Sequence, residues 1–478
     1  MNMKKLLLGI GVLLLAAMMA FFFILRKPHY DYLNVLPQDA RALLRVNLSS
    51  MASELDLDSR EAIQLLQKWQ IDKSGVDFNL PSYGFVSREG FFGLVFPIAK
   101  DGQFKRFLEQ NHREVENQRG YHWITLESWL ACFDKSKCLI MGPASSGEMG
   151  PLRNQMHALM SQKEHKVEAL SQLDRMSGSA AFFAHLDVVP QIYSSFISNL
   201  LPKDVDLNEV SLCSSLKVDS KALKLETKLL SENRQILDNF KTLNDMARPI
   251  QGDMIHFCPE SPFFFATANV EGEKLLEILR KDKTIRRTMV GLNMVVDADM
   301  MIQSVKGDVA VTMPRFNLQK PEVFFCGNLQ KQDFLQNVDS WKTGLAQSFG
   351  VEFRVLKDHD FSLGYGDKSG YFGVRKNKLY VATSQDVADE AFHSASNAYL
   401  EQNLSLIQDS KLYVTMDVRQ ALQALGSIAF TQEGQTQALE ILNDLERIDL
   451  YSSDLSGFTL KVDAKQEIKD IISSLLFK

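Results

Sequence analysis

The chain has 478 residues, enough for about three domains at roughly 100–200 residues each. Its 45% hydrophobic and 23% charged residues, with 26 Gly and 13 Pro, exclude a disordered, collagenous or polytopic membrane protein. Lys+Arg 53 against Asp+Glu 59 leaves a net charge of -6, and no nucleic-acid partner is expected, because neutralising phosphates requires a basic excess.

From the N-terminus, Leu6 to Leu25 (LLLGIGVLLLAAMMAFFFIL) carries no charged or strongly polar side chain. About twenty such residues suffice for a helix to cross the bilayer core. Lys4 and Lys5 precede the segment, and Arg26 and Lys27 follow it. The run exceeds the usual signal-peptide core, and a cleavage site ending at Ala20 would place bulky Met18 three positions back, so the segment reads as a signal anchor. No cysteine follows to serve as a lipoprotein anchor. The flanking charges favour an N-terminus inside and a body on the extracytoplasmic, periplasmic side. The linker from Pro28 to Asp39 reaches at most about 40 Å, which keeps the body near its membrane.

Beyond the linker, the chain reads as two versions of one unit. The stretch around Pro37 and Asn47 parallels that around Pro259 and Asn269, at an offset of 222. FFGLVFPIAKDGQFKRFL (91–108) parallels PEVFFCGNLQKQDFLQNV (321–338), with Phe104 on Phe334, and both read strand, polar break, amphipathic helix. The hairpin at 132–141 parallels 373–382, with Lys135 and Lys137 meeting Lys376 and Lys378 in the turn. Segment 177–189 parallels 409–419 and sets Asp187 on Asp417. The alternating runs 222–229 and 457–464 each lead into a helix, Gln235–Ala247 and Gln466–Phe477. Further helices are expected at 151–173 and 385–407.

The expected fold is therefore α+β: an N-terminal transmembrane helix followed by two tandem copies of a mainly antiparallel sheet unit with helices packed on it. The divisions are 1–27 for the anchor, 28–39 for the linker, 40–250 for the first repeat and 251–478 for the second, with the boundary at Arg248-Pro249-Ile250-Gln251-Gly252. Strands with adjacent phenylalanines (Phe91-Phe92, Phe182-Phe183, Phe263-Phe264-Phe265, Phe324-Phe325) break simple alternation and are expected to be central, with both faces covered. One continuous sheet and two separate sheets remain equally compatible with the pattern. The five cysteines Cys132, Cys138, Cys213, Cys258 and Cys326 contain no Cys-x-x-Cys pair and read as buried free thiols.

Pro37-Gln38-Asp39-Ala40, the run Gly75-Val76-Asp77 leading to Pro81-Ser82-Tyr83-Gly84-Phe85-Val86, FFGLVFPIAKDGQFKRFLE and PIQGDMIHFCPES together resemble an uncharacterised family of duplicated envelope proteins from Bacteroidota. The resemblance covers essentially the whole body. It implies an exported, membrane- or lipid-anchored protein and brings no catalytic residues. Members often begin with a lipoprotein signal, whereas the apolar segment here is cysteine-free.

Three patterns suggest chemistry. Ser214-Ser215-Leu216-Lys217, Ser231-Glu232-Asn233 and Lys342-Thr343-Gly344 occur in the order of a penicillin-recognising serine enzyme. That chemistry places serine and lysine one turn apart on a helix, whereas Ser214 lies in an alternating strand run and Lys342 in a helical one. His29-x-Asp31, His185-x-Asp187 and Asp358-His359-Asp360 pair histidine with carboxylate, but two ligands do not make a metal site, and helix capping is the economical role for Asp417. Gly364-Tyr365-Gly366-Asp367-Lys368-Ser369-Gly370 reads as a hairpin turn rather than a phosphate loop. The basic run Arg280–Arg287 reads as a solvated helix end, with anionic lipid headgroups as the rival partner.

No catalytic, cofactor-binding or metal-binding residue is assigned, and no cofactor is expected. Phe 31 against Tyr 11 and Trp 4 is a core-building mixture that disfavours sugar binding. The expected function is a membrane-anchored, non-enzymatic envelope module that binds or scaffolds an unknown envelope protein or apolar ligand, with the membrane itself a partner through Leu6 to Leu25. The rival is a hydrolase with its active site in the cleft between the repeats.

Overall fold

The computed structural model describes residues 31–55, 73–111, 113–163, 166–189, 205–258, 262–280, 283–315, 320–343, 350–394, 397–425 and 442–471. Two compact units divide the chain: residues 1–49 with 59–172, and residues 50–58 with 173–478. The segment Leu6–Leu25, His29, Pro259 and Gly344 lie outside the described residues.

The first unit contains β1 (Ala42–Val46), β2 (Ser82–Val86), β3 (Phe92–Pro97), β4 (Glu116–Gln118), β5 (Tyr121–Leu126), β6 (Trp129–Phe133) and β7 (Lys137–Gly142). They pair antiparallel in the order β4–β5–β6–β7–β3–β2–β1. The β6–β7 turn forms because Asp134 Oδ1 accepts the N–H groups of Ser136 at 2.8 Å and Lys137 at 3.1 Å. The amphipathic helix Asp101–Gln110 turns Phe104 onto Ile124, Ala131 and Phe133, and the Phe104 and Phe133 rings meet edge-on at 5.1 Å.

The second unit contains β8 (Ala180–His185), β9 (Ser211–Asp219), β10 (Ala222–Leu230), β11 (Ala247–Arg248), β12 (Phe264–Glu271), β13 (Val305–Met313), β14 (Phe324–Leu329), β15 (Val351–Lys357), β16 (Asp360–Tyr365), β17 (Lys368–Arg375), β18 (Lys378–Ala382), β19 (Leu412–Asp417), β20 (Leu445–Ser452) and β21 (Gly457–Ala464). Apart from short β11, which pairs with β12, they form one antiparallel sheet in the order β8–β9–β10–β21–β20–β19–β12–β13–β14–β18–β17–β16–β15.

This order corrects the expected fold class. The described strands do not divide into one sheet unit before residue 250 and another after it. Among the described residues no helix is long and apolar enough to cross a membrane. The sheet of the second unit runs through the expected boundary at residue 250, because β10 pairs along seven residues with β21, from Ala222↔Asp463 to Lys228↔Gly457. Alternation within each strand shows that a strand has two faces; which other strand occupies its edge depends on a partner more than 200 residues away.

The pairing order itself repeats. β15–β16–β17–β18–β14–β13–β12 follows the same order as β4–β5–β6–β7–β3–β2–β1, and β19–β20–β21 the same order as β8–β9–β10. Register repeats as well: Gly84↔Leu94↔Ile140 in the first unit corresponds to Val311↔Phe325↔Val381 in the second. Leu225 pairs with Leu460. Each also occupies the same place in its own hairpin, opposite Leu216 and Leu450 respectively, so the β10–β21 joint is self-complementary about that pair.

Local signals correspond to several elements. The helix Arg234–Met246 lies within a residue of the expected span and buries Ile236 and Phe240, while Asn233 caps it by accepting from Gln235 N at 2.8 Å. The expected insertions contain helices Met149–Met160 and Glu168–Leu173, then Gln385–His393, Ala398–Gln402 and Leu404–Gln408. Gly366, at φ +61°, and Asp367 make the two-residue turn between β16 and β17. All five cysteines are free and buried.

Two expectations need correction. Phe92 is 55% exposed, so β3 is interior to its sheet without having both faces covered. Lys378 is no turn residue: the turn is Lys376-Asn377, both at positive φ, while the Lys378 side chain is only 12% exposed. Its ammonium bonds Asp253 instead.

Candidate functional site

The serine-enzyme pattern does not assemble. Ser214 and Lys217 occupy opposite faces of β9; Ser214 Oγ lies 2.9 Å from Thr227 Oγ1, and Lys217 pairs with Glu226 at 3.5 Å. Ser231 Oγ donates to the Glu209 carbonyl, Asn233 caps its helix, and Lys342 sits in the helix Val338–Thr343 bonded to Asp339.

His185 approaches Ser211 Oγ at 3.2 Å through Nδ1, a contact that superficially suggests a base and nucleophile. The same nitrogen lies 3.0 Å from the Asn208 carbonyl oxygen, which can only accept. Nδ1 therefore carries its proton toward Asn208 and cannot take one from Ser211. Among the described residues, no group of three or more His, Cys, Asp or Glu could hold a metal ion. Asp417 Oδ1 accepts from Gln420 N at 3.0 Å and caps the following helix, Val418–Leu425. Asp187 is not its structural counterpart. Because Ala180↔Leu216 corresponds to Val414↔Leu450, the residue equivalent to Asp417 is Phe183.

Asp358 is exposed beside the turn residue His359, at φ +63°, whereas Asp360 is buried and receives Arg375 Nε and Nη2 at 3.0 and 2.8 Å. The basic run also differs from expectation. Arg280 ends the helix Gly272–Leu279 and pairs with Asp299, but Arg286 and Arg287 belong to the next helix, Lys283–Asn293, near its positive end rather than a favourable C-terminus.

A buried acid beside a half-exposed one was not apparent in the sequence. Gly307, at φ +114°, lies at a bulge in β13 and precedes the fully buried Asp308. The Asp308 carboxylate accepts Gln251 N at 2.9 Å and Gly252 N at 2.7 Å. Neighbouring Asp253 accepts Lys378 Nζ at 2.8 Å, and Lys378 also donates to Asn328 Oδ1 at 2.5 Å. Burial, reinforced by the nearby Asp253 charge, holds the Asp308 carboxyl above the ordinary carboxylate range despite its two amide donors. Burial works against ionisation of Asp253 too, but Lys378 brings that carboxyl below its ordinary value.

The sign of the resulting pH dependence follows from linkage. A carboxyl with a raised folded pKa binds more protons folded than unfolded, so its contribution to stability falls as pH rises from the unfolded value through the folded one. Asp308→Asn removes that contribution. The stability of wild type minus that of Asp308→Asn should decrease as pH rises from about 4 toward neutrality. Urea midpoints of both proteins across that interval measure the difference; a constant or increasing difference contradicts the assignment.

One face of the second unit's sheet is apolar along its whole width. Following cross-strand partners, Phe372–Val381–Phe325–Val311–Ala266–Val414–Leu450–Leu460–Leu225–Leu216–Ala180 is an unbroken apolar row across eleven strands of the second unit. At about 4.8 Å between strands, it extends roughly 50 Å. A parallel row runs Met313–Phe264–Met416–Ile448–Val462–Leu223–Val218. At the β17 end, Trp341 packs edge-on to Phe361 at 5.7 Å and belongs with Phe372 to one buried cluster. Beyond it Val381 is 46% exposed, and the row from Phe325 to Leu216 is half-buried, with Phe325 packed on that cluster and Leu216 on a second one formed by Leu55, Val218, Ala464, Ile468 and Ile471.

The reverse face is different. Phe265, Phe324 and Tyr380 are buried there with Phe392 of the helix Gln385–His393. Toward β21 and β10 it carries Asp449, Lys461, Lys224 and Lys217. Tyr399 and Tyr413 both donate to Asp449, and burial, with the Asp449 charge adding to it, pushes both phenols well above their ordinary range. Polar and charged groups are thus gathered on one face, and the opposite face is apolar. In the first unit the equivalent row contains Leu44 and Leu94, both more than one-third exposed.

The family described as Domain of unknown function (DUF4836) matches residues 62–423. The chain belongs to that family. No curated protein matches this DUF4836 chain. Among solved structures, crystal form I of TP0453 is 13% identical, with 47% of this chain and 88% of that one covered and a TM-score of 0.28. Crystal form IV is 13% identical, with 41% and 79% covered and a TM-score of 0.27. The DNA polymerase III beta subunit of Thermotoga maritima is 11% identical over 72% and 98%, with a TM-score of 0.09. Likeness of this size transfers neither fold nor activity.

Proposed function

We propose that this DUF4836 protein is an exported, non-enzymatic envelope module, tied to a membrane through the apolar segment Leu6–Leu25, whose sheet binds or scaffolds an apolar ligand or the apolar surface of another envelope component. The unbroken apolar row from Val381 to Leu216 carries the reading. Contiguous apolar surface left partly exposed is characteristic of interaction sites. The resemblance to duplicated envelope proteins of Bacteroidota supports the location.

The test is a photo-crosslinking residue at Val381 in the full chain, expressed in its own cells, with the same residue at exposed Asp367 as control. Adducts should form at Val381 in clear excess over Asp367. The substitution Phe325→Lys, combined with the Val381 probe, should reduce capture about tenfold, because a buried ammonium opposes apolar contact. Equal capture at both positions would remove support for the reading.

A further inference from the structure

We infer that β15, Val351–Lys357, is a self-complementary edge through which two copies of this protein pair antiparallel. Among the described residues β15 pairs only with β16, and it ends the sheet of the second unit. Its exposed residues include Val355 at 47% and Leu356 at 38%, an unusual load for a sheet edge. The corresponding edge of the first unit is blunted: β4 has three exposed polar residues, Glu116–Gln118, and Arg153 donates to the side chains of Glu116 at 3.0 Å and Gln118 at 2.8 Å.

The sequence of β15 fits a second copy of itself. With Phe353 opposite the partner's Phe353, Val351 faces the partner's Val355, and Glu352 faces the partner's Arg354. The symmetry repeats each contact, which gives two opposite-charge pairs on one face and apolar contacts on the other. Glu352 and Arg354 are 61% and 63% exposed and already form a bidentate pair at 2.7 Å within the strand, so both are positioned at the edge. The apolar side would extend the cluster in which Phe353 packs against Trp341 and Phe361. The chain already contains a joint of this form at β10–β21, centred on Leu225↔Leu460.

The experiment uses the full chain in detergent micelles and reads self-association by sedimentation velocity. Wild type should be a reversible dimer. Glu352→Arg and Arg354→Glu should each raise the dimer dissociation constant about tenfold, because both cross-strand pairs become like-charged. An equimolar mixture of the two variants should recover wild-type association, since each Arg pair then faces a Glu pair. Urea midpoints establish that both variants remain folded. A monomeric wild type overturns the proposal, as does unchanged association in the variants, which would place dimerisation elsewhere. Weakening without recovery in the mixture overturns the proposed register.

Discussion

Arg375→Met should lower the free energy of unfolding by about 3–5 kcal/mol, the range expected when one member of a buried ion pair is removed. The Arg375 side chain is 19% exposed and that of Asp360 7%, so neither charge is well hydrated. Arg375 donates to both Asp360 oxygens and to Asp389 Oδ1 at 2.6 Å, while Tyr380 donates to Asp360 Oδ1 at 2.9 Å. The guanidinium also lies 4.9 Å from the Tyr380 ring centre and 5.5 Å from that of Phe392. Hydrogen bonding to Asp360 is the main influence holding Arg375 more firmly protonated than an ordinary arginine. Without it, the Asp360 carboxylate keeps only weaker donors in a site built for a cation.

Asp360→Asn in the Arg375→Met background should restore part of the loss by neutralising the stranded charge. The double mutant should therefore be less destabilised than the two single effects summed. Urea denaturation followed by tryptophan fluorescence gives all four stabilities. A loss below about 1 kcal/mol for Arg375→Met, the range of an exposed pair, would show that the network is solvated.

Leu225→Pro should be comparably severe, costing on the order of 3–5 kcal/mol. β10 has a partner on each side, with Leu225 opposite Leu216 on β9 and Leu460 on β21. Whichever strand accepts from the Leu225 amide, proline removes that donor and crowds the ladder. Asn117→Pro in three-residue β4 is the control and should cost about 1–2 kcal/mol at most, because proline is tolerated on edge strands. The comparison specifically tests the joint across residue 250. Were β10 an edge strand of a separate first repeat, the two substitutions would have similar effects. Midpoints from urea denaturation of the full chain distinguish the cases.

Much of the local structure was legible in the sequence. Alternation located β10 and β21, and the 3.6-residue period located Arg234–Met246. Glycine and polar turns located the β16–β17 and β6–β7 hairpins. Asp417 could be read as a cap because its partner, Gln420 N, is three residues away. Each depends on interactions within a few residues, which the order of side chains records directly.

The less legible features depend on register. Lys378 looked like a turn lysine, but its position at the start of β18 places its ammonium beside Asp253, 125 residues earlier. Asp187 looked equivalent to Asp417, but strand pairing aligns Phe183 there instead. The phenylalanine pairs suggested strands covered on both sides; Phe92 instead faces solvent, because its counterparts across the sheet lie on the half-open apolar face.

The sequence alone determined the place of several strands and helices, the mildly acidic and apolar-rich composition, the lack of a cysteine framework and the weakness of every catalytic pattern. Only the tertiary structure decided that β10 joins β21, that apolar residues from eleven strands line up in one row, and that buried Asp308 lies beside Asp253. The physical reason is that helix faces and turns are set by neighbours a few residues apart. A sheet surface is set by which strands pair and in what register, and a shift of one residue would turn every side chain of a strand to the opposite face.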